Sequence, residues 1–209
     1  MFASLARSGG HRVATGTDAD GGETLAEHAG SADTAAKLAS AKWGVVVLQE
    51  QSMTPSVEQF RQADMYPAAR RLVSMVRAAG AEPMFFLTWA HRDGWPETGV
   101  LTDYSKMQAA IDDGYLAIAG EEKAAVVRSD MPGGLCCTRS RGAALWQDDG
   151  SHPTMEGTYL AACVFYAAIF RQSPAGLHYD AGVPKGEAAS LQAVAASVVL
   201  GNPAAWGLR

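Results

Sequence analysis

The chain has 209 residues, of which 48% are hydrophobic and 19% are charged, and its formal net charge is −5. These values fit one domain over residues 1–209 that is large enough to bury a core. A mildly acidic chain without a run of lysine and arginine is not typical of nucleic-acid binding. No apolar stretch approaches the ~20 residues of a membrane span. We therefore expect neither nucleic acid as a partner nor a membrane span.

Residues 1–8 have the pattern of the last turns of an amphipathic helix, which Gly9 and Gly10 end. No signal peptide and no strand come before this helix. A chain that begins in the middle of a helix leads us to expect a truncated N-terminus. The localisation is therefore undetermined: cytoplasmic if Met1 is the true start, and open to export otherwise.

Strands and helices are predicted to alternate along the rest of the chain. In chain order they are a strand at 11–15, a helix at 31–41 capped by Ser31, a strand at 43–48, a helix at 56–79 with a break at Pro67, a strand at 83–88, a helix at 103–119, a strand at 124–127, a helix at 154–170 and a helix at 185–200. The continuous β-branched run at 43–48 is typical of a strand buried on both faces. This alternation predicts an α/β fold, with a parallel sheet and helices on both of its faces.

The segment Asp149-Gly150-Ser151-His152-Pro153 carries the strongest functional signal. Its spacing lets the Asp149 carboxylate accept a hydrogen bond from one imidazole nitrogen of His152 and leaves the other nitrogen as a general base. Pro153 suits the first position of the helix that follows. An isolated Asp-x-x-His is more often a capped helix start with a surface histidine, so other residues must support the catalytic interpretation.

Polar residues at the carboxyl ends of the predicted strands give that support. Gly21 and Gly22 are either a plain turn or a place where a backbone N–H approaches a ligand oxygen. Gln51 either caps a loop or donates its amide to the same oxygen. Two such donors, together with a histidine that accepts a proton, are the core of an acyl-transfer site.

These blocks resemble the SGNH (GDSL-like) hydrolases, in a branch whose third block reads Leu-Gln-Glu-Gln-Ser, as residues 48–52 do here, with a Thr-Trp-Ala block at 88–90. The resemblance covers roughly residues 2–170. It implies a three-layer α/β/α flavodoxin-like sandwich with a parallel sheet, and an esterase that deacylates carbohydrates or lipids without a metal or other cofactor. By resemblance, His152 is the general base, Asp149 orients it, and Gly22 and Gln51 supply the oxyanion hole. The family's usual Gly-x-Asn-Asp is replaced by Gln-Glu-Gln-Ser, so the role of Gln51 depends on register.

The family carries its nucleophile in a Gly-Asp-Ser or Gly-Asn-Ser block after the first, central strand, and no such block occurs in these 209 residues. We therefore expect the chain to lack the first central strand and the nucleophile, and to show little or no turnover as it stands. Full activity would instead indicate Ser52 or Ser151. A missing central strand also predicts marginal stability, a rearranged sheet, or an unpaired edge through which chains associate.

Several other residues have weaker signals. Trp89, His91 and Ser52 are candidate substrate contacts, as is Trp95, although packing and loop roles explain them as well. His28 has the better claim as a brace of the glycine loop. Cys136 and Cys137 are either plain loop thiols or a vicinal pair.

Two other functions are open. One is a non-catalytic carbohydrate- or ligand-binding protein that keeps the same fold. The other is a metal-dependent hydrolase that uses His28, His91, His152 and a carboxylate, although no pair of them has the spacing typical of a metal site.

Overall fold

A computed structural model of the protein describes residues 1–128 and 145–208. The predictions about Cys136 and Cys137 lie outside these ranges. In chain order the helices are α1 (Phe2–Ser8), α2 (Leu25–Gly30), α3 (Ala32–Ala39), α4 (Glu58–Phe60), α5 (Tyr66–Ala78), α6 (Tyr104–Glu122), α7 (Met155–Phe170) and α8 (Lys185–Gly201), and the strands are β1 (Val45–Leu48), β2 (Glu82–Leu87) and β3 (Ala125–Arg128). None of these helices is both long enough and apolar enough to cross a lipid bilayer.

The described chain divides into two compact units. The first, here called the sheet unit, is Gly16–Val126. The second, here called the hairpin unit, combines Met1–Thr15 with the chain from Val127 onwards, so the boundary falls inside β3. One domain over residues 1–209 stays a prediction.

The three strands form one sheet in the order β1-β2-β3. β1 and β2 run parallel, with Val45 opposite Glu82 and Leu48 opposite Phe85. The predicted α/β class, a parallel sheet flanked by helices, is confirmed. The core of the sheet unit lies where α5 and α6 pack on β2 and contains the side chains of Leu72, Val76, Phe85, Leu87, Met107 and Ile111. Burying each of these contributes about 1.5–3 kcal/mol.

The strand predicted at residues 11–15 is wrong, because this segment has no regular structure. Its side chains are half-buried or exposed, so it has no face to bury against a neighbouring strand. His11 instead packs against the end of α7, where its ring stacks on Phe170 at 3.8 Å between centroids. Its Nε2 also lies 2.9 Å from Oε1 of Gln172.

β1 is not buried on both faces, contrary to the prediction. Val47 is 42% exposed and Val45 and Val46 are half-buried, so only Leu48 is buried. The physical reason is position in the sheet: β1 is an edge strand of the described sheet and has β2 as its one neighbour there. A β-branched run shows strand propensity but does not show how many neighbours the strand has.

The helix predicted at 56–79 is interrupted slightly before the expected position. A π-helical segment, Arg61–Met65, joins α4 to α5. Pro67 lies in the first turn of α5, where the absence of a backbone N–H costs no hydrogen bond. The predicted cap at Ser31 is confirmed, since its side chain accepts from the N–H groups of Asp33 and Thr34 at the start of α3.

Candidate active site

A tight hairpin presents the Asp-x-x-His segment. Trp146 and Pro153 form an antiparallel bridge, and the N–H of Gln147 donates to the carbonyl of His152 at 2.8 Å. Gly150 lies at the tip with φ +68°, a left-handed conformation that glycine adopts without strain. The hairpin therefore fixes the four residues from Asp149 to His152 in one turn.

Asp149 and His152 form the predicted hydrogen bond. Nδ1 of His152 lies 2.7 Å from Oδ2 of Asp149. The other oxygen, Oδ1, accepts the N–H groups of Ser151 at 2.8 Å and of His152 at 2.9 Å. These backbone bonds, followed by the bond from the imidazole, lower the pKa of Asp149 to about 2. Since the carboxylate is an acceptor, Nδ1 carries the proton, and in the neutral tautomer of the imidazole Nε2 then keeps its lone pair.

The imidazole of His152 is 73% exposed, and its Nε2 has no hydrogen-bond partner among residues 1–128 and 145–208. A neutral ring with a free, accessible Nε2 is the form that a general base requires. Within the hairpin unit, the local geometry therefore fits the predicted role.

Pro153 does not open the helix, which corrects the prediction. Helix α7 begins at Met155, and Thr154 is its N-cap, with the hydroxyl oxygen accepting from the N–H of Gly157 at 3.2 Å. Threonine has the side-chain acceptor that a cap needs and proline has none. The backbone of Pro153 belongs to the hairpin, where its carbonyl accepts from Nε2 of Gln147.

Gly22 lies in an exposed turn of the sheet unit with φ +87°. A Cβ at this position would meet nothing within 4 Å, so glycine is required here by the backbone conformation and not by crowding. The turn leads directly into α2. There the side chains and backbone N–H groups of Thr24 and Glu27 form a reciprocal capping box.

His28 braces the glycine loop, as predicted. Its Nε2 lies 3.3 Å from Oε2 of Glu23, and its Nδ1 lies 3.1 Å from the hydroxyl of Thr34. That hydroxyl donates to Oδ2 of Asp18 at 2.7 Å. The loop is therefore tied at both of its ends to helices α2 and α3.

Gln51 follows β1 in a tight turn. Its side-chain oxygen accepts the N–H of Met53 at 2.8 Å, which identifies the oxygen and leaves the NH₂ group as the remaining donor. No acceptor for that NH₂ group is found within the described part of the chain. A donor that is fixed in place before a ligand arrives is what an oxyanion hole requires.

Ser52 and His91 meet in the sheet unit, with 3.3 Å between the Ser52 hydroxyl oxygen and His91 Nε2. Trp89, two residues before His91, is half-buried and packs edge-on against Phe86. Trp95 packs against the core of the sheet unit, which favours a structural role for it. Substrate contact by Ser52, His91 and Trp89 stays a prediction.

Two polar residues of the sheet unit were missed from the sequence. Gln108 is buried on α6, where its oxygen accepts the N–H of Ala90 and its NH₂ group donates to the carbonyl of Thr88. It therefore holds the backbone of the Thr-Trp-Ala block. The second is Glu50, which is 1% exposed and accepts N–H groups from Leu25 and Gln51. A carboxylate two residues after a β-branched strand was the available signal for Glu50.

The described residues offer no ligand cluster for the metal-dependent alternative. In the two described ranges, no group of three or more His, Cys, Asp and Glu side chains is arranged to hold a metal ion. Among the described residues, the structure joins Asp149 to His152 within the hairpin unit and Ser52 to His91 within the sheet unit.

Comparison with known proteins relates the fold to two solved structures. A DUF4886 family protein from Bacteroides uniformis superposes with a TM-score of 0.72 at 19% identity, over 96% of this chain and 88% of that one. A candidate SGNH hydrolase from Slackia heliotrinireducens superposes with a TM-score of 0.63 at 27% identity, over 79% of this chain and 89% of that one. No family model matches the sequence, and no curated protein matches it. The fold is therefore similar to that of an SGNH-type hydrolase.

Proposed function

We propose that the protein is an ester hydrolase of the SGNH type that removes an acyl group from a carbohydrate. The observation that carries the proposal is the 2.7 Å contact between Asp149 and His152, which leaves Nε2 of the imidazole exposed and ready to accept a proton. The resemblance of the Leu-Gln-Glu-Gln-Ser and Asp-Gly-Ser-His-Pro blocks supports it, as does the similarity to the candidate SGNH hydrolase.

In the proposed reaction, His152 Nε2 takes the proton of a serine hydroxyl as that oxygen attacks the ester carbonyl. Asp149 keeps the proton on Nδ1 and stabilises the imidazolium that forms. The Gly22 N–H and the Gln51 NH₂ group donate to the oxyanion. His152 then returns the proton to the leaving alcohol, and a second cycle with water releases the acid and regenerates the serine.

The nucleophile itself is unassigned, because the Gly-Asp-Ser or Gly-Asn-Ser block does not occur in the 209 residues. We expect little or no ester turnover from these 209 residues alone. The chain of 209 residues and the complete product of its gene should both be assayed. Full activity in the chain of 209 residues would contradict this expectation and would direct attention to Ser52, whose hydroxyl lies beside His91.

The test uses p-nitrophenyl esters of short acids and a peracetylated sugar with the complete gene product. We expect His152→Ala to lower kcat/KM by at least ~10³-fold, because the general base is lost. His178→Ala is the matched control, since His178 is also an exposed loop histidine. Ester turnover that survives His152→Ala would overturn the role of His152, and binding of the sugar ester without hydrolysis would favour the non-catalytic alternative.

A further inference from the structure

Glu50 is a buried carboxylate with long-range contacts. It lies two residues after the end of β1, and 1% of its surface is exposed. Both of its carboxylate oxygens lie 3.3 Å from the N–H nitrogen of Leu25, and Oε1 also accepts the N–H of Gln51 at 2.8 Å. One side chain therefore holds the backbone at Leu25, 25 residues earlier in the sequence, together with the backbone of its own neighbour Gln51.

The two segments are those that carry the proposed oxyanion donors. Leu25 is the first residue of α2, three residues after Gly22. Gln51 supplies the second donor from its own side chain. We call the set of Glu50 with the N–H groups of Leu25 and Gln51 the Glu50 brace. It fixes the distance between the start of α2 and the Gln51 turn within the sheet unit.

The backbone of Glu50 is itself held by Tyr115 of α6. The N–H of Glu50 donates to the hydroxyl of Tyr115 at 2.8 Å, and that hydroxyl lies 3.4 Å from the carbonyl of Glu50. Tyr115 is fully buried on α6, so its ring cannot move without disturbing the core. The brace is therefore anchored to the sheet unit by both the side chain and the main chain of Glu50.

Burial makes this carboxylate responsive to pH. Desolvation raises the pKa of Glu50 to about 7, although the N–H groups of Gln51 and Leu25 oppose the shift. The charged groups that face it are the carboxylates of Asp64 and Glu27, which raise the pKa further, and Tyr115 is the other titratable group in contact. Protonation turns a charged acceptor into a neutral one, whose hydrogen bonds are about half as strong.

We propose that Glu50 is a positioning residue that holds the Gly22 turn and the Gln51 side chain in the arrangement the oxyanion requires. This inference rests on the proposed function. In the proposed reaction Glu50 does not contact the reacting atoms. It acts through the start of α2 and the Gln51 turn, which it holds together. Its ionised form gives the tighter brace, so the maximal rate should fall as the pH is lowered and Glu50 takes up a proton.

The experiment compares wild type with three variants of the complete gene product. Glu50→Ala removes both acceptors, Glu50→Gln keeps a neutral Oε1 that can accept both N–H groups, and Glu82→Gln is an exposed control on β2. We expect Glu50→Ala to lower kcat about 10–100-fold with KM changed less than ~3-fold. Glu50→Gln should lower kcat by a smaller factor. On the acidic side, its profile of kcat against pH should lack one ionisation that wild type shows. Glu82→Gln should match wild type.

Amide hydrogen exchange supplies a readout that does not need turnover. The amides of Leu25 and Gln51 should exchange at least ~10-fold faster in Glu50→Ala, while the amide of Leu72 in α5 should be unchanged and so report an intact fold. Equal protection of Leu25 and Gln51 in both proteins would overturn the brace. A wild-type kcat profile in Glu50→Gln together with wild-type kcat in Glu50→Ala would overturn the positioning role.

The two proposals fail in different ways. A gene product without ester turnover overturns the proposed function and the catalytic consequence of the brace, and exchange at Leu25 and Gln51 still decides whether the brace exists. A gene product whose turnover depends on His152 but not on Glu50 keeps the proposed function and overturns the inference.

Discussion

The Asp149–His152 pair and the Glu50 brace use the same chemistry in opposite surroundings. In each, a carboxylate accepts backbone N–H groups. The Asp149 side chain is 48% exposed and bonds residues two and three positions further along the chain, and its pKa is lowered to about 2. Glu50 is buried and bonds an N–H 25 residues earlier, and its pKa is raised to about 7.

The difference shows that hydrogen bonds do not by themselves decide the charge of a carboxylate. Water around Asp149 leaves the desolvation cost small, so the N–H donors dominate and the group stays ionised. Around Glu50 desolvation outweighs a similar set of donors. The hairpin is therefore suited to hold a permanent charge beside an imidazole, and the brace is suited to respond to pH.

The largest effect on ester hydrolysis should follow from Asp149→Asn, which removes the charge beside the His152 imidazole. The asparagine oxygen can still accept the N–H groups of Ser151 and His152, but its NH₂ group would face Nδ1 and favour the wrong tautomer. We expect kcat/KM to fall about 10²–10⁴-fold, measured by ester hydrolysis. Asp148→Asn, at the neighbouring exposed position, is the control. Near wild-type activity in Asp149→Asn would show that Asp149 does not orient the base.

Gln51→Ala removes one proposed donor and leaves the Glu50 brace in place, since that brace uses the backbone N–H of residue 51. Loss of one oxyanion donor is expected to lower kcat about 10²–10³-fold. Gln147→Ala is the matched control, because Gln147 is an exposed glutamine of the hairpin whose side chain caps the carbonyl of Pro153. If both variants retained the wild-type kcat, Gln51 would have no part in the oxyanion hole.

The smallest expected effect is on the free energy of unfolding. Its dependence on pH has opposite directions for Glu50 and Asp149. The folded-state pKa of Glu50 is raised above its ordinary value of 4.5, so the folded state binds more protons and Glu50 makes the fold less stable as the pH rises from about 4.5 to about 7. Glu50→Gln should therefore be more stable than wild type above pH ~7, by about 1–3 kcal/mol, with little difference below pH ~4.5. Urea unfolding at both pH values measures this.

The ionisation of Asp149 changes the stability of the fold with pH in the opposite direction. Its lowered pKa means that its contribution to stability is present above its ordinary value of 3.8 and is lost as the pH falls towards about 2. Asp149→Asn should therefore show no gain in stability above pH ~7. If Asp149→Asn were stabilised above pH ~7 as much as Glu50→Gln, the two carboxylates would not differ in the way described above.

The sequence predicted best what depends on neighbouring residues. The Asp149–His152 bond needs a spacing of three residues and one tight turn, and the structure has it. The strands at 45–48 and 82–87 follow from short β-branched and apolar runs. The cap at Ser31 follows from a local preference for a side-chain acceptor.

Features that depend on distant partners could not be predicted. Residues 11–15 have a strand-like pattern, but His11 packs on α7 and the segment joins no strand. The exposure of Val47 depends on how many strands lie beside β1. The Glu50 brace depends on Leu25 and Tyr115, and no spacing within one segment indicates either contact.

In the proposed function His152 and Gln51 act in one reaction, and a single NMR titration tests this. An alkyl phosphonate, a tetrahedral anion like the reaction intermediate, is added to isotope-labelled complete gene product. The His152 ring signals and the Gln51 side-chain NH₂ signals should both shift, with the same dissociation constant. Shifts at one residue without the other, or two different constants, would contradict the account.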